Sequence, residues 1–266
     1  MQRIFCTNMM GRTADTPTDK EPSPWGFWAT MGFSLVVLAV FFILSFLTAV
    51  GFFAFTAAKN PGLNLSQFAN SLSANGFYLS VTTSITAPAC IALTVLFARL
   101  RGGLGVKDYL GFRKVTGRQL LGWLFLVLVF LSATDLLTHF LNRPVVPSFP
   151  VDVYKTARFT VLLCLALIIL APLYEEVLFR GFMFQGIRFS RIGPVGAVGI
   201  TAFIWSILHW GQYDAYSVVT IFVFGVLCGV ARLATGSTYL TIAMHALNNL
   251  VGLLEVLLYL RFVLKS

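Results

Sequence analysis

The chain has 266 residues, of which 58% are hydrophobic and only 11% are charged, and its mean hydropathy is +0.84. A soluble domain carries roughly a quarter charged residues, so this composition excludes an ordinary soluble globular fold. The net charge of +9 would suit a protein that binds nucleic acid, but the sequence lacks the pattern of basic and aromatic residues typical of such proteins. We therefore expect no nucleic-acid partner. Basic loops on one side of a lipid bilayer explain the charge instead.

Residues 1–24 are polar and rich in Thr and Pro, and we expect them to form a disordered tail. Residues 25–266 are predicted to form a single membrane-embedded domain. Seven apolar stretches follow the tail, each long enough or nearly long enough to cross a hydrocarbon core. They are residues 28–57, 76–99, 119–141, 159–187, 195–210, 215–233 and 237–260. Because backbone groups cannot stay unpaired in lipid, the sequence predicts an all-α, multi-pass bundle of seven to eight transmembrane helices.

The distribution of Lys and Arg predicts the orientation. With a cytoplasmic N-terminus, twelve basic residues fall on the inner side and six on the outer side. The loop 99–118 contributes six of the twelve. This bias predicts an integral protein of the plasma (inner) membrane with its N-terminus in the cytoplasm.

Ionisable residues at membrane depth are costly and indicate function. The fourth stretch contains Glu175, Glu176 and Arg180, and later stretches contain His209 and His245. Glu176 and Arg180 are four residues apart, which predicts an ion pair on one helix face. Glu175 points about 100° away from that face and has no local cation, so its carboxylate is free to act as a base.

Helix geometry places several of these groups at one depth. Counted from the turn near residues 188–194, Glu175 and His209 each lie about 20 Å along their helices. Counted from residue 236 on the same side, His245 lies about 12 Å in and Asn249 about 18 Å in. We therefore expect these four side chains to share one layer inside the membrane.

The chemistry of this layer leaves two alternatives open. A carboxylate and an imidazole can activate a water molecule, while a second histidine and an amide donate hydrogen bonds to an oxyanion. Alternatively, Glu175, His209 and His245 could ligate zinc. Trp205 and Trp210 flank His209, and ordinary aromatic packing is the default interpretation of both. Asp135 with His139, and Glu255, are interpreted as structural polar groups near the outer ends of their helices.

Three short motifs in this region resemble the CPBP family of intramembrane proteases, which comprises CAAX prenyl proteases and bacteriocin-processing proteins and is also called the Abi family. Glu175, Glu176 and Arg180 match Glu-Glu-x-x-x-Arg. Trp205 and His209 match an aromatic residue followed four positions later by His. His245 and Asn249 match His-x-x-x-Asn. The resemblance covers residues 159–255, the catalytic core in that family.

The resemblance implies that Glu175 and His209 activate water and that His245 and Asn249 hold the oxyanion. It also implies that Glu176, Arg180 and Trp205 support the site. The family was first described as metalloproteases, and a metal-free glutamate mechanism is also argued for it. The cofactor expectation is therefore either zinc or none. The family usually has eight helices.

The sequence thus favours an intramembrane endopeptidase that cleaves a membrane-associated or lipidated peptide or protein near the inner face. Its expected partners are that substrate and the bilayer. Two other functions stay open at this point. One is a non-catalytic membrane partner, such as an immunity protein that binds a peptide toxin. The other is a proton-coupled transporter in which Glu175 and the imidazoles carry protons.

Overall fold

The structure, a computed structural model, describes residues 23–262, and within that range the chain is helical apart from short connections. The predicted tail, residues 1–24, lies outside the described residues except for its last two. We number the helices in chain order. They are α1 (Phe27–Lys59), α2 (Leu65–Leu72), α3 (Gly76–Leu100), α4 (Val106–Leu110), α5 (Gly117–Phe140), α6 (Ser148–Thr156), α7 (Thr160–Arg188), α8 (Gly193–Ile207), α9 (Ala215–Thr235) and α10 (Thr238–Phe262).

Six of these helices, α1, α3, α5, α7, α9 and α10, are long and apolar enough to cross a membrane. This confirms the all-α class and identifies an integral membrane protein. The fifth predicted stretch, residues 195–210, corresponds to α8, which has only 15 residues. At 1.5 Å per residue α8 is about 22 Å long, shorter than a hydrocarbon core of about 30 Å. The predicted count of seven to eight spans is therefore not confirmed.

The spans define two faces of the bundle. The N-terminal face carries residues 23–26 and the connections 101–116, 189–192 and 236–237. The opposite face carries the connections 60–75, 141–159 and 208–214. Hydrogen bonds connect the end of α4 to the start of α10 at the N-terminal face. Thr238 donates from its hydroxyl to the Leu110 carbonyl (2.5 Å) and from its backbone N–H to the Gly111 carbonyl (2.8 Å).

Helix α7 occupies the centre of the bundle. Its second half, residues 177–187, is almost entirely buried, whereas α1 and α5 expose large apolar side chains such as Phe46 and Leu121. Exposed apolar side chains on membrane helices face lipid. Helix α7, which carries Glu175, Glu176 and Arg180, therefore lies inside helices that face lipid.

Two segments of α7 are π-helical, Leu165–Leu170 and Val177–Met183, and they bracket the short α-helical segment Ala171–Glu176. Pro172 lies in that segment and has no N–H to donate to the preceding turn. Wider turns are a common local adjustment in helices and are frequent at functional sites. Glu175 and Glu176 thus sit on a single regular α-turn between two irregular ones.

Close helix contacts depend on small residues, as is usual in membranes. Gly186 of α7 lies directly against the buried side chain of Thr30 in α1, so a Cβ atom there would overlap the Thr30 side chain. Gly122 of α5, in contrast, has open space in the direction of a Cβ.

We predict that Gly186→Ala lowers the stability by about 1–3 kcal/mol, because the added methyl group forces α1 and α7 apart. Thermal unfolding in detergent measures this effect. Gly122→Ala is the matched control, and it should unfold at or above the wild-type temperature since alanine favours helix. Equal unfolding temperatures for the two variants would contradict this packing.

Candidate active site

Glu176 and Arg180 form a fully buried ion pair on α7. The Arg180 Nη1 atom lies 2.9 Å from Glu176 Oε1, and neither side chain is exposed. Arg180 also donates from Nη2 to the Gly225 carbonyl of α9 (3.1 Å) and lies over the Trp205 ring. The predicted ion pair is confirmed, and it joins α7 to α8 and α9.

The same carboxylate also binds His245 of α10. Glu176 Oε1 is 3.0 Å from His245 Nδ1. Arg180, Glu176 and His245 thus form a continuous series of contacts, which we call the buried charge chain. Our sequence analysis paired Glu176 with Arg180 alone. The depth calculation that grouped Glu175 with His245 applies equally to its neighbour Glu176, but depth alone does not indicate which of the two carboxylates His245 contacts.

Glu175 is not paired with Arg180 and borders an internal cavity. Its Oε2 atom accepts a hydrogen bond from the Trp205 indole N–H (2.5 Å) and lies 4.0 Å from His245 Nε2. Its side chain is 13% exposed, against 0% for Glu176. Neighbouring carboxylates therefore differ in environment, one neutralised by arginine and the other facing open space. Trp205, expected to pack as an ordinary aromatic residue, is a hydrogen-bond donor to Glu175.

His209 occupies a turn rather than a helix. The predicted helical stretch extended to residue 210, but α8 ends at Ile207, and Gly211 adopts a positive φ of 94° that reverses the chain. His209 Nδ1 bonds the Trp205 carbonyl (2.9 Å), and the two rings lie 5.1 Å apart. Trp205 thus positions both Glu175 and His209.

Asn249 lies one turn beyond His245 on α10. Its Nδ2 atom donates to the Leu167 carbonyl (2.8 Å), which lies in the first π-helical segment of α7. A carboxamide nitrogen carries two hydrogens, so one N–H remains for another acceptor.

A cavity of about 680 Å³ connects these groups. Its lining includes the predicted layer, namely Glu175, His209, His245 and Asn249. It extends to residues 143–150 and to the turn 208–214 on the opposite face. Irregular backbone is tolerated at membrane depth where it lines a water-filled space, which suits the turn containing His209.

The position of this cavity bears on the expected orientation. Its lining, as far as the structure describes the chain, comes from the middle of the spans and from the opposite face. If the N-terminus is cytoplasmic, the cavity therefore lies toward the outer side of the membrane. The expectations of a cytoplasmic N-terminus and of cleavage near the inner face thus disagree.

Two further carboxylates, Asp135 of α5 and Glu255 of α10, also line the cavity. Our sequence analysis interpreted Asp135 as part of a polar pair with His139. Within residues 23–262, no hydrogen bond or salt bridge joins those two side chains. Asp135 was misassigned because sequence spacing alone does not reveal which helix face borders the cavity.

The candidate zinc ligands do not form a ligand set. No three His, Cys, Asp or Glu side chains in the described part of the chain are arranged to hold a metal ion. Glu175 Oε2 and His245 Nε2 lie 4.0 Å apart, and the hydrogen bonds at Nδ1 leave Nε2 as the free ring nitrogen of both His209 and His245. The described side chains therefore do not form a three-ligand zinc centre in this arrangement.

Residues 157–251 match a family model described as "Rce1-like: Type II CAAX prenyl endopeptidase Rce1-like". The match confirms the resemblance to the CPBP family. It contains all three motifs and leaves α1 to α6 outside it, apart from the connection before α7. We refer to residues 157–251 as the CPBP-like region.

A curated protein of Escherichia coli, described as an "Uncharacterized 24.3 kDa protein", is 32% identical over 102 residues. That alignment covers 38% of this chain and 46% of the relative, so the chain spans less than half of that protein's length. No solved structure matches the chain.

We predict that Arg180→Met destabilises the protein by about 3–5 kcal/mol, because it leaves the Glu176 carboxylate buried without its cation. Thermal unfolding in detergent measures the loss. The double variant Glu176→Gln/Arg180→Met removes both charges and should recover part of it. A single variant as stable as the wild type would contradict the buried pair.

Proposed function

We propose that the chain is an intramembrane endopeptidase in which Glu175 activates a water molecule for attack on a peptide bond. The observation that carries this proposal is the geometry of Glu175. This carboxylate has no lysine or arginine in contact among the described residues, is oriented by Trp205, faces His245 and borders the cavity. The CPBP-like region supports the same class of activity.

Glu175 is suited to act as a general base. A base must lie within reach of the water whose proton it takes, and the cavity gives water access to the carboxylate. The indole N–H of Trp205 fixes one oxygen, Oε2, and leaves Oε1 free to accept from water. Glu176 is unsuited to this role because Arg180 and His245 occupy its Oε1 and burial excludes water.

His209 is suited to assist the same water. Its Nδ1 bonds a backbone carbonyl, so Nδ1 carries the hydrogen and Nε2 of the neutral ring is an acceptor. A water molecule held by Glu175 and by Nε2 of His209 would have its lone pair directed at a substrate carbonyl.

His245 and Asn249 are suited to stabilise the oxyanion. Glu176 accepts a hydrogen bond from His245 Nδ1, and in the doubly protonated form of the ring Nε2 would carry a second N–H. Nε2 is the atom that faces Glu175. Asn249 can supply its second amide hydrogen nearby. Donors held in place before the reaction stabilise charge that develops in the transition state.

The proposed reaction is balanced without another reactant. Water attacks the carbonyl carbon, Glu175 takes one of its protons, and the carbonyl oxygen becomes an oxyanion bound by His245 and Asn249. The C–N bond then breaks as the proton held on Glu175 passes to the leaving nitrogen. The products are a carboxylic acid and an amine, the acid then gives its proton to the amine or to water, and Glu175 is again ionised.

The proposed substrate is a membrane-associated or lipidated peptide or protein that enters the cavity from the bilayer or from the opposite face. Apolar residues of α1 and α5 line one wall of the cavity and suit a hydrophobic segment. Residues 25–266 are proposed to act as one membrane domain, with residues 159–255 as its catalytic core. The non-catalytic and transporter alternatives gain no specific support from the geometry.

We predict that Glu175→Gln lowers peptide cleavage by about 10²–10⁴-fold, because an amide cannot take the proton from water. Purified protein in detergent is incubated with a library of lipidated and unlipidated peptides, and the products are identified by mass spectrometry. Glu255→Gln is the matched control, since it makes the same chemical change in the same cavity.

The control should retain cleavage within about threefold of the wild type, which is the expected size of a change that leaves the reacting atoms alone. Retained cleavage by Glu175→Gln, with folding intact, would refute the proposed base. Equal loss in both variants would assign the effect to the charge of the cavity rather than to Glu175.

We also predict that cleavage is unaffected by zinc chelators, because the proposed base and oxyanion donors are side chains of this chain. The measurement compares rates after dialysis against a chelator, with and without added Zn²⁺. A loss of activity that Zn²⁺ restores would contradict the metal-free mechanism while leaving Glu175 essential as a ligand.

A further inference from the structure

Three arginines converge at the N-terminal face, away from the cavity. Arg113 lies in the connection between α4 and α5, Arg188 ends α7, and Arg232 lies in the last turn of α9. Arg113 and Arg188 are close enough for their charges to repel the Arg232 guanidinium group. Like charges gathered from three elements need a compensating group.

Distances from Gly236 locate two of the three side chains. A Cβ on Gly236 would lie 3.9 Å from Arg113 Nη1 and 3.9 Å from Arg232 Nη1. The two nitrogens are therefore separated by no more than twice that distance. One tetrahedral anion with several acceptor oxygens can bind both groups.

Arg188 lies one helical turn from a residue that contacts Arg232. Arg232 Nη2 approaches the Gln185 side-chain oxygen of α7 at 3.4 Å. Residues three apart on a helix share a face, so Arg188 lies one turn beyond Gln185 on the side of α7 that faces Arg232.

Arg232 itself is buried without a carboxylate. It is 2% exposed, and its Nε donates to the Arg180 carbonyl (2.9 Å). Within residues 23–262, Nη1 has no protein acceptor, and none of the three arginines forms a salt bridge. A buried cation ordinarily has a charged partner, because burial without one is costly.

Two glycines with positive φ angles leave room for the Arg232 guanidinium group. Gly111 adopts a φ of 67° and Gly236 a φ of 69°, and a Cβ on Gly111 would overlap Arg232. Ser237 donates to the Arg113 carbonyl (2.5 Å), which holds this connection against the turn between α9 and α10. The site is therefore held by fixed backbone and not only by mobile surface side chains.

We propose that Arg113, Arg188 and Arg232 bind the phosphate group of an anionic phospholipid. The three residues lie at the ends of membrane helices, where headgroup phosphates are found, and guanidinium groups pair with phosphate oxygens in a forked geometry. Exposed apolar side chains beside them, Phe189, Ile192 and Tyr239, provide a surface for the acyl chains.

The site adjoins the buried charge chain. Arg232 bonds the backbone of Arg180, whose side chain holds Glu176 and, through it, His245. A bound phosphate would offset the repulsion around Arg232 and so stabilise the helix ends that position the proposed active site.

The test is native mass spectrometry of the delipidated full chain in detergent, titrated with phosphatidylglycerol, phosphatidylcholine or inorganic phosphate. We expect phosphatidylglycerol to bind in preference to the other two. Arg113→Gln/Arg188→Gln should weaken that binding about 30-fold, the factor expected for two basic residues beside an anionic headgroup. The matched control, Lys114→Gln/Arg118→Gln, removes equal charge from the same face and should change binding less than about threefold.

Three outcomes would overturn the proposal. If both double variants lose phosphatidylglycerol binding equally, the lipid is held by diffuse attraction to the basic surface and not by these three arginines. Equal binding of the two phospholipids would show that charge is not recognised. Inorganic phosphate binding as tightly as phosphatidylglycerol would assign the site to free phosphate. Each readout is independent of proteolysis, so a failure here would not count against the proposed function.

Discussion

The arrangement of this bundle depends on one interaction, the buried ion pair between Glu176 and Arg180. Charged groups in a membrane interior are costly, and breaking such a pair is worse than never forming it. Here the pair is fully buried, and it extends through His245 to α10 and through the Gly225 carbonyl to α9. Three helices are therefore fixed by one carboxylate and one guanidinium group. The neighbouring Glu175 is left with no such role and faces the cavity.

The irregular parts of the fold lie around the same residues. Two π-helical segments of α7 bracket Glu175 and Glu176, and the short α8 ends before His209. A regular helix at either place would carry these side chains to other directions or depths. Trp205 connects the two irregular parts, since its indole N–H bonds Glu175 and its carbonyl bonds His209. The geometry of the site thus requires departures from ideal helices.

Much of this was predictable from the sequence. Apolar runs predicted the positions of the six spans, and the spacing of Glu176 and Arg180 predicted their ion pair. The depth calculation predicted that Glu175, His209, His245 and Asn249 share one layer, and these four residues line one cavity. The rest depends on contacts between helices. Helical spacing does not reveal that His245 bonds Glu176, that Trp205 bonds Glu175, or that Asp135 faces the cavity. The seventh predicted span is not confirmed because α8 is apolar yet short, and hydropathy does not show where the chain turns.

The central claim is that two adjacent carboxylates have separate tasks, Glu175 in chemistry and Glu176 in structure. The most direct test measures peptide cleavage and thermal unfolding on the same preparations of Glu175→Gln and Glu176→Gln. Glu175→Gln is expected to lose cleavage and to keep the wild-type unfolding temperature. Glu176→Gln should unfold at a lower temperature because Arg180 loses its counter-charge. Cleavage retained by Glu175→Gln, together with unchanged stability of Glu176→Gln, would show that the two carboxylates do not have these separate tasks.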